Sequence, residues 1–418
     1  MNDILPEQTA IWQRVEAECA KLFACYGYHQ IRTPLVESTR LFARSIGEET
    51  DIVAKEMYTF TDRNDDSLTL RPEGTASTVR AGIQNGLFYN QQQRLWYYGP
   101  MFRYERPQKG RYRQFYQMGI ECYGWSGTDI EAEVLSLTHD LFQRLGLQNT
   151  KLHINSLGDQ HSRSAFRAAL VDYLRAYIDQ LDSDSQRRLN TNPLRILDSK
   201  NARVQQILDK APSILDYLSS ASQDAFDQLQ DHLQALEISF EINPRLVRGL
   251  DYYNDTVFEW INPSFGAQAT VCGGGRYDRM VEQLGGQATP AFGFGMGVER
   301  LIQMLQEQDA EIVNNSYAQS VYIVSLGDTA RSLALVVQKQ LVAANISVLC
   351  HMGEASIKNQ FKKADKSGAA LAIIIGDNEI ERNTLSVKTL LGDFNNGSQQ
   401  TIPKNEVVDV VTNLLKRL

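Results

Sequence analysis

The chain has 418 residues, a formal net charge of −8, and 43% hydrophobic and 22% charged residues. This balance is typical of a water-soluble protein of two or three domains. Because the sequence has no run of about eighteen apolar residues, it predicts no transmembrane helix and no membrane partner. The negative average charge repels nucleic acid, so any RNA binding must come from local basic patches.

The spacing of cysteine and histidine argues against a metal site. The five cysteines and six histidines are dispersed and form no CxxC, HxxxH or HExxH pattern. Those spacings usually mark zinc sites, so we expect no metal ligands among the side chains. An odd number of cysteines in a long chain predicts reduced thiols and a cytoplasmic location, and residues 1–6 lack the pattern of a secretory signal.

The first part of the chain changes from helical to extended patterns. Apolar spacing predicts a helix over 7–26 and shorter helices over 37–46 and 74–82. Aromatic-rich extended segments follow at 95–105 and 112–124. The basic stretch between them contains Pro and Gly, which predicts a hairpin with a long loop.

A helical block interrupts the strand patterns in the middle of the chain. An amphipathic helix is predicted over 129–145, with Thr128 as its cap. Residues 159–237 are almost all helical and polar, and strand patterns flank them, which indicates an insertion. Strands are predicted again at residues 251–261, 268–273 and 291–297, and a helix from Val298.

The last hundred residues form a separate pattern after a polar linker at 307–319. Strands are predicted at 321–325, 346–350 and 370–375, and helices at 329–344 and 357–366. Such alternation predicts a compact α/β domain. Residues 319–418 hold 11 Lys and Arg against 9 Asp and Glu, a net charge of +2 that suits an RNA-contacting module. Four of these lysines cluster along one predicted helix: Lys358, Lys362, Lys363 and Lys366.

Alternating side chains separate a polar face from an apolar face on the strand 112–124. Phe115, Gln117, Gly119 and Glu121 share the polar face, whose aromatic, amide and carboxylate groups suit a ligand better than a core.

Two other strands extend this polar face. If segment 95–105 pairs with it, Arg103 and Glu105 lie on the same side. Glycines at every second position of 291–297 would let a flat ligand approach the backbone, and Arg300 follows within one helical turn. A strand arginine is usually solvated or salt-bridged and a strand glycine is usually a bulge, so these residues alone leave a ligand site and an ordinary surface equally open.

Six stretches together resemble a known family. Residues 102–106 (FRYER), 293–301 (GFGMGVERL) and 31–37 (IRTPLVE) are similar to motifs 2, 3 and 1 of class II aminoacyl-tRNA synthetases. Residues 70–75 (LRPEGT), 246–253 (LVRGLDYY) and 273–278 (GGGRYD) resemble the histidine-contacting loop and the two signatures of histidyl-tRNA synthetases. The similarity covers essentially the whole chain.

The resemblance implies an α+β fold, with an antiparallel catalytic sheet flanked by helices. It implies a catalytic core at 1–158 and 239–312, a helical insertion at 159–238, and an anticodon-binding α/β domain at 319–418. It further implies a histidine–tRNA ligase that forms histidyl-adenylate from L-histidine and ATP and transfers histidine to tRNA(His). A homodimer is implied by motif 1, and Mg²⁺ is expected with ATP, held largely by phosphates and water.

The resemblance also assigns roles to residues. Arg103 and Arg248 are expected at the α-phosphate and Arg300 at the γ-phosphate, where the planar guanidinium binds phosphate oxygens in pairs. Phe115 is expected to stack on adenine, with Arg300 on its other face, and Glu105 to lie near the adenine amino group or the tRNA end.

Histidine and tRNA contacts follow in the same way. Imidazole offers N–H donors and an acceptor, which the groups expected around it can meet. Substrate histidine is assigned Glu73, Thr75 and Gln117 for its α-amino group, and Glu121, Tyr253 and Tyr277 for its ring; Tyr252 stays open between this role and packing. The tRNA is assigned Arg106, Gln108 and Arg111 in the motif 2 loop, and Lys358 and Lys362 in the last domain.

The main alternative is a catalytically silent relative that serves as the regulatory subunit of ATP phosphoribosyltransferase. Such proteins lack the anticodon domain and commonly lose signature residues, whereas Arg103, Arg248 and Arg300 are all present here. A pure RNA-binding or sensor module is the other alternative, and no kinase segment accompanies it.

Overall fold

The computed structural model describes residues 2–47, 50, 52–106, 110–268, 270–308, 320–390 and 399–417. The chain divides into two compact units. One holds residues 1–4 and 11–310, and the other holds residues 311–418 together with the short segment 5–10. Among the described residues, no helix has both the length and the apolar character needed to cross a membrane.

The large unit is built on strands and helices that follow one another in chain order. Its strands are β1 (His29–Gln30), β2 (Val36–Ser38), β3 (Tyr58–Thr61), β4 (Ser67–Leu70), β5 (Gln93–Phe102), β6 (Gln114–Tyr123), β7 (Lys151–Ser156), β8 (Phe240–Ile242), β9 (Asn254–Ile261), β10 (Thr270–Arg276) and β11 (Ala291–Gly297). Its helices are α1 (Pro6–Cys25), α2 (Thr39–Ile46), α3 (Thr75–Gln84), α4 (Asp129–Arg144), α5 (Gln160–Arg175), α6 (Ser183–Thr191), α7 (Ala202–Leu208), α8 (Ser220–Ala235), α9 (Met280–Gln283) and α10 (Val298–Gln308). Shorter helical turns occur at Ile52–Glu56, Ile178–Gln180, Pro193–Ile196, Ile214–Tyr217 and Pro263–Gln268.

An eight-stranded sheet forms the body of this unit, in the order β1-β5-β6-β11-β10-β9-β7-β8. The run from β5 to β7 is antiparallel throughout. Strands β2, β4 and β3 form a small separate sheet. The predicted pairing of β5 with β6 is therefore confirmed, and β11 lies directly beside them. One row across the sheet places Tyr97, Gly119, Gly295, Gly273 and Glu259 side by side.

The apolar face of the sheet packs as the alternation predicts. Met118, Ile120 and Cys122 of β6 are at most 1% exposed, and Phe292 and Phe294 of β11 are equally buried. Helices α4 and α10 contact β11 and β6. Burial of large apolar side chains supplies most of the stabilisation of such a core, at about 1.5–3 kcal/mol each. The opposite, polar face is left for the site.

Three predicted boundaries were wrong, and each error has a local cause. Glu37 and Ser38 belong to β2, which pairs with β4, so the helix predicted over 37–46 begins only at Thr39. Thr128 has helical dihedral angles and makes no capping hydrogen bond, because its hydroxyl donates instead to Gln228 Oε1 at 2.8 Å.

The strands near the site also differ in their ends. Strand β5 ends at Phe102, so Arg103 and Glu105 lie just beyond it, although the Arg103 backbone N–H still donates to the Arg113 carbonyl at 3.0 Å. Tyr252 and Tyr253 lie in a turn before β9 and not on a strand. The strand predicted at 268–273 runs from Thr270 to Arg276.

The second unit is an α/β domain, as its pattern predicts. Its elements are β12 (Val321–Ser325), α11 (Asp328–Ala343), β13 (Val348–Cys350), α12 (Ile357–Lys366), β14 (Leu371–Ile375), α13 (Asp377–Glu381), β15 (Thr384–Thr389), β16 (Gln399–Pro403), a short turn at Lys404–Glu406, and α14 (Val407–Leu415). The sheet order is β13-β12-β14-β15-β16. Strands β12, β13 and β14 are parallel, whereas β15 and β16, which the sequence analysis missed, add an antiparallel edge.

Candidate active site

A cavity of about 760 Å³ lies over the polar face of the large sheet. It brings together residues that are far apart in sequence. The residues expected from the sequence that line it are Glu73, Thr75, Arg103, Glu105, Arg111, Phe115, Gln117, Arg248, Tyr252, Tyr253 and Arg300.

The remaining expected residues lie elsewhere. Glu121 and Tyr277 are buried and do not line the cavity. Arg106 is exposed and is absent from the cavity wall. Gln108 lies outside the described residues. Lys358 and Lys362 are exposed on α12 of the second unit.

The loop before α3 holds one carboxylate firmly in the wall. Glu73 is 2% exposed, and its two oxygens accept from the backbone N–H groups of Thr75 at 2.6 Å and Ala76 at 2.8 Å. These groups lie at the start of α3, whose N-terminus attracts a negative charge. Burial nevertheless raises the pKa of Glu73 above its ordinary value. The arrangement fixes a carboxylate that can receive a cationic amino group.

An amide lies beside this carboxylate. Gln117 Oε1 accepts from the Gly74 backbone N–H at 3.1 Å and from the Tyr97 hydroxyl at 3.2 Å. Its oxygen is therefore occupied by two donors of the protein. Gln117 thus ties β6 to the loop that carries Glu73.

Glu121 lies one layer below the cavity and reaches it through a hydroxyl. The carboxylate is 0% exposed; it accepts from the Thr75 hydroxyl at 2.6 Å and from the Tyr277 hydroxyl. Desolvation raises its pKa to about 8, and the nearby Glu73 adds to the shift. The sequence analysis expected Glu121 on the open floor, whereas the structure makes it a buried acceptor behind Thr75.

The glycines of β11 have a different use from the one expected. A Cβ added at Gly293 would collide with the Glu121 carboxylate and the Ile120 carbonyl, and one at Gly295 would lie 2.5 Å from Gln117 Nε2. The bare positions therefore make room for protein side chains from β6. Only Gly297 is open, since its nearest side-chain atoms would be those of Arg300 at 3.9 Å.

Arg103 is positioned at the edge of the cavity by the backbone. Its Nε donates to the Pro72 carbonyl at 2.8 Å, and its guanidinium lies 5.3 Å from the centre of the Phe115 ring. Glu105 lies 3.9 Å from Arg103 and 3.2 Å from Arg111. Arg103 therefore shares its nearest carboxylate with a second arginine.

Arg248 and Arg300 approach from the other side of the sheet. Arg248 forms an ion pair with Glu259, and its buried Nε has no hydrogen-bond partner among the described residues. Arg300 donates to the Thr270 carbonyl. Burial and the proximity of Arg111 lower the pKa of Arg300, which indicates an excess of positive charge. Three arginines thus face one space from separate segments of the chain.

The carboxylates of the cavity offer little to a metal ion. Among the residues that the structure describes, no group of three or more His, Cys, Asp or Glu side chains could hold one. Glu105 and Glu259 are ion-paired with arginines, and Glu299, whose pKa burial raises to about 7, accepts the Tyr116 backbone N–H at 2.9 Å. Mg²⁺ fits this site only as an ion carried mainly by phosphate oxygens and water, which is its usual mode of binding beside nucleotides.

Sequence reasoning missed several residues of the site. Glu259 could have been found, because alternation along β9 places it on the polar side between the buried Phe258 and Trp260. Tyr97 gave no signal, since it reads as one of several aromatic residues on β5. Arg195, from the helical block, lines the cavity by a tertiary contact that no local pattern marks.

Comparisons with known proteins agree with this geometry. The family model described as histidyl-tRNA synthetase matches residues 1–301, and the model described as an anticodon binding domain matches residues 320–414. The crystal structure of apo histidyl-tRNA synthetase from S. aureus is similar at 38% identity and a TM-score of 0.81, with 98% of each chain covered. The chain therefore belongs to the histidyl-tRNA synthetase family, and the predicted family and fold class are confirmed.

More distant structures share the fold. The histidyl-tRNA synthetase from Nostoc sp. PCC 7120 is 20% identical, with a TM-score of 0.72 over 99% of this chain and 98% of that one. A protein from Bacillus halodurans C, described as an ATP phosphoribosyltransferase regulatory subunit/histidyl-tRNA synthetase, is 20% identical, with a TM-score of 0.65 over 90% of this chain and 96% of that one. At this identity the fold alone is comparable.

Proposed function

We propose that the chain is a histidine–tRNA ligase. The observation that carries the proposal is the convergence of Arg103, Arg248 and Arg300 on the cavity that also holds the Glu73 carboxylate. ATP supplies the anionic phosphates and histidine supplies the cationic amino group that this pair of features complements.

In the first step the histidine carboxylate attacks the α-phosphorus of ATP, and pyrophosphate leaves. Negative charge spreads over the phosphoryl oxygens during this exchange, and fixed cations aimed there lower the barrier. Arg103 and Arg248 are proposed for the α-phosphate, since one is held by a backbone carbonyl and the other has a free buried Nε. Arg300 is proposed for the γ-phosphate and Phe115 for adenine, with Glu105 near the adenine amino group.

Histidine recognition is proposed to use the two layers of acidic groups. Glu73, Thr75 and Gln117 hold the α-amino group, and Tyr253 lies close enough to reach the imidazole. Glu121 and Tyr277 act from below through the hydrogen bonds that orient Thr75. Tyr252 contacts Tyr253 ring to ring at 4.5 Å, which supports a packing role beside the binding role.

In the second step the terminal ribose hydroxyl of tRNA(His) attacks the carbonyl of the adenylate, and AMP leaves. We propose that the motif 2 loop, with Arg106, Gln108 and Arg111, contacts the acceptor end. Lys358 and Lys362 are proposed to contact the anticodon region. Bound Mg²⁺ would neutralise charge on the leaving pyrophosphate. A homodimer and a cytoplasmic location are proposed from the motif 1 resemblance and from the five free cysteines. The segments 1–158, 159–238, 239–312 and 319–418 are proposed as the domain boundaries.

An exchange assay decides between this function and a regulatory subunit of ATP phosphoribosyltransferase. Purified protein should catalyse histidine-dependent exchange of labelled pyrophosphate into ATP, with no exchange when histidine is left out. Absence of histidine-dependent exchange in folded protein would remove the ligase proposal.

A further inference from the structure

Arg195 is a cation of the cavity wall without a partner. It is half-buried, and none of its guanidinium nitrogens forms a hydrogen bond or an ion pair within the described part of the chain. The other cavity cations all have one. Their partners are the Pro72 carbonyl for Arg103, Glu105 for Arg111, Asp198 for Lys200, Asp209 for Arg245, Glu259 for Arg248 and the Thr270 carbonyl for Arg300.

The position of Arg195 is fixed by its surroundings. Ile196 and Leu197 are buried in the same core cluster as Leu246 and Val247. The turn that carries them is further tied to the loop 246–253, because Asn192 Nδ2 donates to Asp251 Oδ1 at 2.9 Å. Arg195 Nη1 consequently lies 3.5 Å from the point where a Gly249 Cβ would stand, beside Arg248.

A guanidinium held this way suits an anion that arrives with a substrate. Partial burial of a cation without a counter-ion is unfavourable, and a bound phosphate would offset that cost. We propose, resting on the ligase function above, that Arg195 binds a phosphate group of a substrate at the end of the cavity formed by the helical block. Both ATP and the 3′-terminal nucleotide of tRNA carry such a phosphate.

Two variants test this proposal, with one matched control. Arg195→Gln removes the charge, and Arg195→Met removes it while keeping an apolar stem. Arg203→Gln makes the same charge change on α7, outside the cavity, where the guanidinium contacts only Gln180 Oε1 at 3.3 Å. Thermal melting of all three shows whether each variant is folded, and if Arg195→Gln is not, Arg195→Met serves in its place.

The readouts separate the two sources of phosphate. Loss of about tenfold or more in Mg-ATP affinity by calorimetry, or in the KM for ATP in exchange, assigns Arg195 to ATP. Normal ATP values with a similar loss in tRNA affinity, or in single-turnover transfer to tRNA, assign it to the tRNA end. Variants that match Arg203→Gln in every measurement would overturn the proposal. The binding measurements need no turnover, so they decide the role of Arg195 even if wild-type protein shows no histidine-dependent exchange and the ligase function fails.

Discussion

At the scale of single residues, the site holds opposite charges apart and keeps them partly unsatisfied. Glu73 and Glu121 are fully buried, and desolvation raises the pKa of both. Arg300 forms no ion pair among the described residues. A site of this kind is strained electrostatically when empty, and a ligand that carries both a cationic amino group and phosphates relieves the strain.

Arg248→Ala should lower the rate of histidine-dependent pyrophosphate exchange by about 100-fold or more, while the KM for histidine changes by less than about threefold. The reason is that charge on the α-phosphate grows only in the transition state. Steady-state exchange kinetics measure both constants. Because the substitution leaves Glu259 unpaired, the double variant Arg248→Ala with Glu259→Gln serves as a control; equal losses of rate and of histidine affinity would argue against the proposed role.

Glu121→Gln should flatten the dependence of Tm on pH. In the folded protein the pKa of Glu121 is about 8 against an ordinary value of 4.5, so the folded state binds the extra proton between these values. Stability of the wild type therefore falls as pH rises through this window, and the variant loses that part of the slope. Melting scans at several pH values between 5 and 8 test this, with exposed Glu282→Gln as the control. Parallel curves for wild type and Glu121→Gln would show that the carboxylate is already ionised.

At the scale of elements, the site depends on three adjacent strands with matched faces. Side-chain alternation was sufficient to predict the polar faces of β6 and β11, because a period of two is a local property of the chain. It could not show that Glu121 and Gln117 fill the spaces beside Gly293 and Gly295, since that depends on the register between strands. The docking of Arg195 against Gly249 depends on the tertiary position of the helical block, and it was missed for the same reason.

Short strands were the other source of error. Strands β1 to β4 have two to four residues each, which is too few for alternation to show. The segment 37–46 was therefore given to one helix, although pairing with β4 draws Glu37 into a strand. Glu37 then accepts from Arg80 at 2.7 Å, a contact between segments that no local pattern contains.

Gly293→Ala should lower both Tm and the affinity for histidine. The added methyl group would overlap the Glu121 carboxylate and a backbone carbonyl, and overpacking of this kind costs about 1–3 kcal/mol. Gly297→Ala is the matched control for stability, because its Cβ would meet nothing closer than 3.9 Å. Differential scanning of the two variants compares them directly. Equal Tm values would mean that the β6 side chains have other room available.

At the scale of the whole molecule, charge is divided between two units. The chain carries −8 overall, whereas residues 319–418 carry +2 and match an anticodon binding domain. Lys358, Lys362, Lys363 and Lys366 are exposed on α12, and buried Gln360 and Ala364 hold that helix to its sheet. The basic surface can therefore be changed without touching the core.

Reversal of Lys362 and Lys363 to Glu should weaken tRNA binding by about tenfold or more and leave pyrophosphate exchange unchanged, because phosphate contacts are lost far from the reacting atoms. Filter binding at fixed salt and exchange assays measure the two effects. Reversal of exposed Lys339 and Lys416 makes the same change in net charge on other helices and serves as the control. If both double variants weaken tRNA binding equally, α12 has no special part in it.

The central claim is tested most directly by charging tRNA(His) with each of the twenty amino acids in the presence of Mg-ATP. The account predicts that histidine alone is esterified to the RNA, with one AMP and one pyrophosphate formed for each molecule charged. Charging with a different amino acid, or no charging by folded protein, would contradict it.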